Sequence, residues 1–138
     1  MTSAILSTSA SAGRVLVAGG PRTGKTTLSD RLEAKGIPVY HTDALIGSHE
    51  WSEASAEVAR WLEEPGPWVV EGVSSVRAAR KFMAKHPDKK PCDLFVWVRG
   101  AKVDRTPGQA AMARGVATIF AGIRPELERR GVKILEVP

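Results

Sequence analysis

The sequence predicts one α/β domain built on a parallel β-sheet that is covered by helices on both faces. Short apolar segments alternate along the chain with longer segments of helical periodicity, and such alternation implies right-handed crossovers between parallel strands. The segments 14–18 and 94–98 are almost wholly apolar, as in strands that are buried on both faces. The length of 138 residues suits a single domain, which we place at 14–138 after a flexible leader at 1–13.

The first half of the chain contains three predicted strands and two predicted helices. Each strand is rich in β-branched or aromatic residues, and each helix has apolar residues three or four positions apart. Gly36 stops the first helix, Ser52 caps the second, and Pro65 ends it. In chain order, we predict a strand at 14–18, a helix at 26–35, a strand at 37–40, a helix at 52–64 and a strand at 68–70.

The second half repeats the alternation and contains the strongest strand signal, at 94–98. Asp93 opens this strand, so we expect it to form a turn or a cap rather than to join a site at the far end of the sheet. Thr106 followed by Pro107 starts a helix that we expect to kink or break near Pro125. In chain order, we predict a helix at 74–85, a strand at 94–98, a helix from 107 that Gly131 ends, and a strand at 132–137.

Composition favours an anionic ligand and a reducing compartment. Twenty Lys and Arg against fifteen Asp and Glu leave a net charge of +5, which suits nucleotide phosphates or nucleic acid. Cys92 is the one cysteine, so no internal disulfide forms, and no Cys/His cluster has the spacing of a zinc site. The longest apolar run has five residues, far below the roughly 20 of a membrane span. We therefore expect a cytoplasmic protein that is monomeric or weakly dimeric and has no membrane partner.

The most specific signal is the segment GGPRTGKT at 19–26, a full match to G-x-x-x-x-G-K-T directly after a strand and at the start of a helix. Backbone N–H groups of such a loop point inward at phosphates, and the helix N-terminus adds a partial positive charge. Lys25 would reach the β and γ phosphates of ATP, and Thr26 would bind Mg²⁺. The alternative is a chance glycine turn. The expected nucleotide contacts are Gly20, Pro21, Arg22, Thr23, Gly24, Lys25, Thr26 and Thr27.

With this loop the chain resembles the small P-loop kinases, which include adenylate kinase-like, shikimate kinase-like and gluconate kinase-like enzymes and the kinase domain of polynucleotide kinases. The resemblance covers residues 14–137 and rests on the phosphate loop, the His-Thr-Asp sequence at 41–43, the segment WVVEG at 68–72 and the strand end at 98–99. It implies a five-stranded parallel sheet of order 2-3-1-4-5 and a mobile lid after strand four. The lid of this chain, at 100–107, is short.

Residues that directly follow strands are candidates for the acceptor site, because parallel sheets bind ligands at the carboxyl ends of their strands. Asp43 follows strand two, where the hydroxyl-phosphorylating relatives carry an aspartate, and it could orient and deprotonate a hydroxyl acceptor. Glu71 ends strand three and could bind the acceptor or a Mg²⁺-bound water. Each carboxylate could instead cap a turn or a helix. Arg99, after strand four, satisfies the same positional criterion.

Basic residues near these carboxylates are further candidates. Arg77 and Arg80, in the helix after strand three, face either solvent or the acceptor pocket. Arg105 and Arg114 fall where the resemblance places lid arginines, which would neutralise the charge on the transferring phosphoryl group, and the alternative for both is solvent-facing charge. The predicted catalytic residues are Lys25, Asp43, Arg105 and Arg114, and the predicted substrate contacts are Asp43, Glu71, Arg77 and Arg80.

Most tryptophans and all three histidines are expected to be structural. Trp61, Trp68 and Trp97 suit the core, while Trp51 is the one candidate for base stacking. The histidines lack metal-ligand spacing and suit polar surface or hydrogen-bonded positions.

Two classes of function follow from these residues. The first is an enzyme that transfers the γ-phosphoryl group of ATP, with Mg²⁺, to a hydroxyl of a nucleoside-like or nucleic-acid (DNA) acceptor. A small polyol, an organic acid or a nucleoside monophosphate is the alternative acceptor. The second class is a non-catalytic nucleotide-binding module that regulates a partner, since a phosphate loop by itself indicates binding. The acidic residue on the acceptor side and the lid arginines favour the kinase.

Overall fold

The computed structural model describes residues 13–20, 30–31, 33–34, 36–42, 51–99 and 104–137. The elements are β1 (Arg14–Ala18), β2 (Val39–His41), α1 (Trp51–Trp61), β3 (Trp68–Glu71), α2 (Ser75–Lys85), β4 (Leu94–Val98), α3 (Pro107–Arg129) and β5 (Lys133–Val137). The strands form one sheet of order β2-β3-β1-β4-β5, in which every neighbouring pair is parallel. The α/β fold class and the strand order are therefore confirmed, while the helix predicted at 26–35 lies mostly outside the described residues.

The central strands end level with one another. β1 lies between β3 and β4 and pairs Val17 with Glu71 and Ala18 with Trp97. β2 pairs with the other side of β3, so that His41 lies opposite Glu71. Because parallel strands share one direction, the residues that follow them emerge at one edge of the sheet, which we call the carboxyl edge.

Both faces of the sheet are buried. On one face, α1, α2 and α3 pack against a cluster that includes Leu16, Val70 and Phe95. On the other face, Val17 and Val96 belong to a second apolar cluster. Burial on both faces explains why these strands lack an alternation of polar and apolar residues, as the sequence predicts.

Two of the tryptophans are core residues, as predicted. Trp97 stacks on Phe120 of α3 with ring centroids 4.3 Å apart, and Phe95 stacks on the same ring at 5.3 Å. Trp68 is 3% exposed, and its indole N–H donates to the Glu64 carbonyl oxygen over 2.8 Å. These contacts join β4 to α3, and β3 to the turn that follows α1.

Helix α3 runs unbroken over Pro107–Arg129, so the expected break near Pro125 does not occur. Pro125 cannot donate to the carbonyl of Ala121, but both residues are exposed, so water can satisfy that carbonyl. Ile123 and Leu127 are buried on either side of the proline and anchor the helix to the core. Among the described helices, α3 included, none has the combined length and apolar character of a membrane span.

Both ends of α3 carry the caps that the sequence predicts. The Thr106 hydroxyl accepts from the Gln109 backbone N–H over 3.1 Å, and the Gln109 side-chain oxygen accepts from the Thr106 N–H over 2.9 Å, which forms a capping box. At the other end, Gly131 has φ 87°, and the next N–H, that of Val132, donates to the Leu127 carbonyl over 3.0 Å. A glycine in this conformation is the usual end of a helix.

Several element boundaries differ from the predictions by one to three residues. α1 begins at 51, so Ser52 lies inside the helix and is not its cap. α1 also ends at Trp61 rather than at 64, because the N–H groups of Glu63 and Glu64 bond to carbonyls three residues back, those of Arg60 and Trp61, and not four. β2, α2 and β5 begin at 39, 75 and 133, one or two residues later than predicted. Such shifts are ordinary where a chain leaves regular hydrogen bonding.

Asp93 lies away from the carboxyl edge, as its position predicts, but its carboxylate joins two strands and is not the predicted turn or cap. Its Oδ2 accepts from the backbone N–H of Arg14 over 2.9 Å, and Nζ of Lys90 lies 3.6 Å from its Oδ1. The carboxylate therefore ties the start of β1 to the start of β4. These strand starts lie at the edge opposite the carboxyl edge, which we call the amino edge.

Candidate functional site

The candidate site lies at the carboxyl edge, where the segments after β1, β2 and β3 emerge together. Gly20 is described, two residues after β1. The other predicted nucleotide contacts and the predicted base lie outside the described residues; they are Pro21, Arg22, Thr23, Gly24, Lys25, Thr26, Thr27 and Asp43. The described part of the site consists of residues at the ends of β1, β2 and β3 and in the adjacent parts of α2 and α3.

Helix α3 and the residues before it approach the start of the phosphate loop closely. A methyl group on Gly20 would lie 2.8 Å from Cβ of Ala113 and 3.1 Å from Nη2 of Arg105. The backbone at Gly20 therefore needs a residue without a side chain. Arg105 lies beside Gly20, and its role at the transferring phosphoryl group stays a prediction. Arg114 is exposed, and its side chain leaves α3 about 100° from that of Ala113, which faces Gly20.

An ion pair joins the ends of β2 and β3. Nδ1 of His41 lies 2.5 Å from Oε1 of Glu71, and the Glu71 side chain is 2% exposed whereas the His41 side chain is 36% exposed. Glu71 is the register partner of both His41 and Val17, so all three side chains share the sheet face opposite α1, α2 and α3. The pair places a buried carboxylate beside the end of β1, where the phosphate loop begins.

The Glu71 carboxylate favours the charged form of His41. Its hydrogen bond raises the pKa of His41 above the usual 6.5, against the opposing effect of burial, and the negative charges of Glu71, Asp30 and Glu33 add to the increase. A buried carboxylate without a partner is costly. The imidazolium of His41 supplies the compensating positive charge.

The chain turns sharply behind Glu71. Gly72 adopts φ 138°, a conformation that favours glycine, and its N–H donates to the Val17 carbonyl over 3.2 Å. The Gly72 carbonyl accepts in turn from the N–H of Ser75, the first residue of α2, over 3.3 Å. This turn fixes the end of β3 against β1 and holds Glu71 at the carboxyl edge.

Two buried hydroxyl groups lie near the same edge. Thr42 follows His41 at the end of β2, and Ser74 directly precedes α2. Both residues are 0% exposed, and within the described part of the chain neither hydroxyl has a hydrogen-bond partner. Buried hydroxyls are normally satisfied by protein, water or ligand. The hydroxyls of Thr42 and Ser74 are therefore candidate hydrogen-bonding groups for a polar molecule at this edge.

The arginines predicted near the acceptor differ in their distance from this edge. Arg77 is partly buried in the first turn of α2, close to the carboxyl edge. Arg80 is exposed and one turn further along α2, so the helix carries it away from the edge. Arg99 follows β4 at the edge, is exposed, and donates its backbone N–H to the Val137 carbonyl over 2.8 Å. Substrate binding by Arg77 and Arg80 stays a prediction.

Sequence reasoning did not single out His41, Thr42 or Ser74 as site residues. The hydrogen-bonded role predicted for His41 is confirmed, but its partner Glu71 lies 30 residues away along the chain. The available signal was that strands two and three both end in an ionisable residue. Parallel pairing of those two strands would have placed the two side chains opposite each other.

The described residues contain no group of three or more His, Cys, Asp or Glu side chains that could hold a metal ion. The predicted Mg²⁺ contacts need no such group, because a nucleotide-bound Mg²⁺ keeps several waters and takes few protein ligands. Glu71 presents a carboxylate at the carboxyl edge, and Arg105 brings a guanidinium beside Gly20, where the phosphate loop begins. These two features fit Mg²⁺ and ATP, while Thr26 lies outside the described residues.

No protein-family model matches the chain, and a search of curated proteins finds no match. The case for a function therefore rests on the phosphate-loop sequence, on the sheet that carries it and on the residues at the carboxyl edge.

Proposed function

We propose that this protein is an ATP-dependent phosphotransferase that moves the γ-phosphoryl group of ATP to a hydroxyl of a nucleoside-like or nucleic-acid acceptor. The observation that carries the proposal is the position of the segment GGPRTGKT in the sheet. It begins directly after β1, the central strand of the parallel sheet, and Ala113 and Arg105 lie against its Gly20. A glycine-rich loop at the carboxyl end of a central parallel strand is the usual setting for phosphate binding by backbone N–H groups.

The proposed reaction needs a base and several positive groups. The acceptor oxygen would form a bond to the γ-phosphorus, the bond from that phosphorus to the ADP oxygen would break, and the hydroxyl proton would pass to the Asp43 carboxylate. Lys25 and Arg105 would neutralise the charge on the transferring group. Mg²⁺ would add further neutralisation, held by Thr26 and, through water, by Glu71.

The nature of the acceptor is supported by the charge of the protein and by the expected base. A net charge of +5 favours an anionic acceptor over a neutral polyol. A phosphate acceptor already carries its negative charge and needs no base, whereas a hydroxyl must lose a proton as it attacks. Asp43 therefore favours a hydroxyl on an otherwise anionic molecule, as in a nucleotide or a nucleic-acid strand.

Transfer from γ-labelled ATP to oligonucleotides, nucleosides and sugar acids tests this proposal. Lys25→Ala removes the cation expected at the β and γ phosphates and should reduce transfer by orders of magnitude without unfolding the protein. Lys133→Ala, an exposed lysine on β5, is the matched control and should transfer normally. Activity of Lys25→Ala within twofold of the parent would contradict the phosphate-loop assignment.

Asp43→Asn separates the kinase from a nucleotide-binding module. The amide retains the shape of the carboxylate but cannot accept the proton, so transfer should slow by about 10² to 10⁴-fold while ATP affinity is retained. Glu128→Gln, an exposed carboxylate on α3, is the control for charge loss. A binding module predicts no acceptor-dependent transfer in the parent protein, and a collapse of ATP affinity in Asp43→Asn would place Asp43 in the nucleotide site instead.

A further inference from the structure

The positive charge of the protein is concentrated in α2 and the loop that follows it. Residues 75–90 contain six Lys or Arg and one acidic residue, Asp88, a net charge of +5 that equals the excess of the whole chain. α2 itself contains no acidic residue, and its apolar side is buried in the core. Its outer positions are Arg77, Arg80, Lys81, Ala84 and Lys85. The exposed side of α2 is therefore basic along its whole length.

This side of α2 leads to a cleft of about 870 Å³ at the amino edge. Its basic lining residues are Arg14, Lys85, Lys89, Lys90 and Arg130, and its acidic ones are Glu63, Glu64 and Asp88. Glu63 is already engaged, because Nζ of Lys85 lies 3.0 Å and Nε2 of His86 2.7 Å from its Oε1. Five basic against three acidic lining residues leave an excess of two positive charges. Lys85 and Lys90 are themselves paired, Lys85 with Glu63 and Lys90 with Asp93.

Two arginines hold the loop that lines this cleft. Nη1 of Arg130 donates to the carbonyls of His86 and Lys89, over 2.7 Å in each case. Nη2 of Arg14 donates to the carbonyl of Lys90 over 2.7 Å, while its buried Nε has no hydrogen-bond partner among the described residues. These bonds occupy the loop carbonyls, which would otherwise repel an anion, and the Lys89 side chain is exposed to solvent.

A smaller aromatic pocket of about 290 Å³ adjoins the cleft, and the two share Glu64 and Pro65. Tyr40, Trp61 and Trp68 line this pocket. Tyr40 is 49% exposed, the one large hydrophobic side chain exposed in the described part of the chain, and its ring centroid lies 5.9 Å from that of Trp61. Such a pair offers an aromatic face on which a nucleobase can stack.

We propose that the cleft and the aromatic pocket, together called the basal surface, bind single-stranded nucleic acid. Phosphates contact Lys89 and, in place of their carboxylate partners Glu63 and Asp93, Lys85 and Lys90, while a base stacks against Tyr40 and Trp61. A basic groove beside aromatic stacking platforms is the combination that single-strand binding uses. The inference deepens the proposed function, on which it rests for the role of a strand as acceptor.

The cleft lies at the amino edge and the phosphate loop follows β1 at the carboxyl edge, and α2 connects the two edges. α2 begins at the carboxyl edge after Glu71 and ends at Lys85, a length of about 16 Å. Its basic outer side provides a continuous path for the phosphates of one strand. A strand bound at the basal surface can therefore extend an end toward the candidate site.

Other anionic partners suit the basal surface less well. A helix that binds a membrane surface presents large apolar residues to the bilayer, whereas Val76, Phe82 and Met83 of α2 are buried in the core. A protein interface buries an apolar centre, and Tyr40 alone among the described residues could supply one. Duplex DNA keeps its bases stacked internally, so it can use the lysines but not the aromatic pocket.

Fluorescence anisotropy with a short labelled oligothymidylate, without ATP or Mg²⁺, tests the inference. The affinity should fall steeply between ~50 and 200 mM salt, because phosphate contacts release counterions. Lys89→Glu should weaken binding at least tenfold at the lower salt, and Lys133→Glu, outside the cleft lining, should weaken it far less. Equal losses in these two variants would overturn the inference.

The aromatic pocket is tested by a pair of variants at one position. Tyr40→Ala should weaken binding of the single strand by roughly 5- to 100-fold, the usual value of one stacked base, while Tyr40→Phe retains the ring and should bind normally. Neither variant should change the binding of a duplex of the same length, which should be weaker than that of the single strand. Equal affinity for single strand and duplex, or no difference between the two Tyr40 variants, would contradict stacking.

Competition and catalysis distinguish the remaining outcomes. Polyglutamate or anionic phospholipid vesicles that displace the oligonucleotide at equal charge concentration would show a general anion surface and refute the inference. If the protein binds the oligonucleotide as predicted but transfers no phosphoryl group to any acceptor, the inference holds and the proposed function fails. If it phosphorylates a small acceptor yet does not bind the oligonucleotide, phosphoryl transfer is supported and the inference about the basal surface fails.

Discussion

His41 and Glu71 meet across the ends of two neighbouring parallel strands, with Nδ1 of the imidazole 2.5 Å from Oε1 of the carboxylate. Glu71 is almost fully buried and also pairs in register with Val17 of β1, the strand that leads into the phosphate loop. A buried carboxylate is tolerated when a positive group compensates it. His41 therefore supplies the positive charge that compensates the buried Glu71 carboxylate at the carboxyl edge.

The first prediction concerns the pH dependence of stability. The pKa of His41 is raised in the folded protein, first by its hydrogen bond to Glu71, so protonation of His41 favours folding. This contribution is complete below the ordinary histidine value of about 6.5 and is lost as pH rises through the folded pKa. Urea unfolding of the parent and of His41→Gln should show a difference in unfolding free energy that shrinks from pH 5.5 to higher pH.

The control for this prediction removes the charge of the partner. Glu71→Gln retains a side-chain oxygen that can accept a hydrogen bond but has no negative charge, so the pH-dependent difference should become much smaller in the Glu71→Gln background, where only Asp30 and Glu33 still raise the pKa of His41. A difference between the parent and His41→Gln that is constant with pH would show that the pair contributes no charge-dependent stability.

The fold was predictable where the hydrophobic pattern is unambiguous. The strands 14–18 and 94–98 were placed to the residue because each is a nearly continuous apolar run with glycine or polar residues at its ends. The break expected at Pro125 is wrong. A sequence shows that proline lacks an N–H, but it does not show that the residue whose carbonyl loses its helical donor, Ala121, is exposed to solvent. Whether the helix continues through the proline is decided by the burial of the residues on either side of it.

The candidate site was predictable only in part. Glu71 could be placed at the carboxyl edge because a carboxylate at a strand end is visible in the sequence, whereas Arg105 was chosen because the resemblance places lid arginines there. The link between Glu71 and His41 depends on the register of two strands, and the contact of Gly20 with Ala113 depends on how α3 packs. Both are long-range properties that local patterns do not encode.

The second prediction concerns the link between β1 and β4. Asp93→Ala removes the acceptor for the Arg14 N–H and should lower the free energy of unfolding by about 1–3 kcal/mol, because a partly buried donor is left unpaired. Asp93→Asn retains one side-chain oxygen and should cost less. Asp88→Ala, an exposed aspartate in the preceding loop, should stay within about 0.5 kcal/mol of the parent in the same urea titrations.

The third prediction uses the single cysteine as a probe of unfolding. Cys92 is fully buried, and this burial raises the pKa of its thiol to about 12. At pH 8 the folded protein should therefore react with Ellman's reagent only as fast as it opens, since the thiolate is the reactive form. Ala84→Cys adds an exposed thiol on α2 and should react at once, so two phases of equal amplitude are expected. Immediate reaction of the parent protein would show that Cys92 is accessible.

The last prediction compares two glycines that differ in what surrounds them. A Cβ at Gly20 would lie 2.8 Å from Cβ and 3.0 Å from Cα of Ala113, whereas a Cβ at Gly115, half a turn along the same helix, would meet nothing within 4 Å. Ala113 has no flexible side chain, so its Cβ can move only if the backbone of α3 moves with it. Gly20→Ala should therefore lower the free energy of unfolding by about 1–3 kcal/mol and weaken ATP binding, because α3 must shift away from the phosphate loop.

Gly115→Ala should have the opposite effect on stability. It replaces glycine inside a helix without a steric conflict and should raise the free energy of unfolding by up to about 1 kcal/mol, with ATP affinity unchanged. Urea titrations followed by tryptophan fluorescence, together with calorimetric titration of ATP, measure both quantities for the two variants. Equal stability of Gly20→Ala and the parent would mean that α3 does not press on the loop, and unchanged ATP affinity would place the nucleotide away from Gly20.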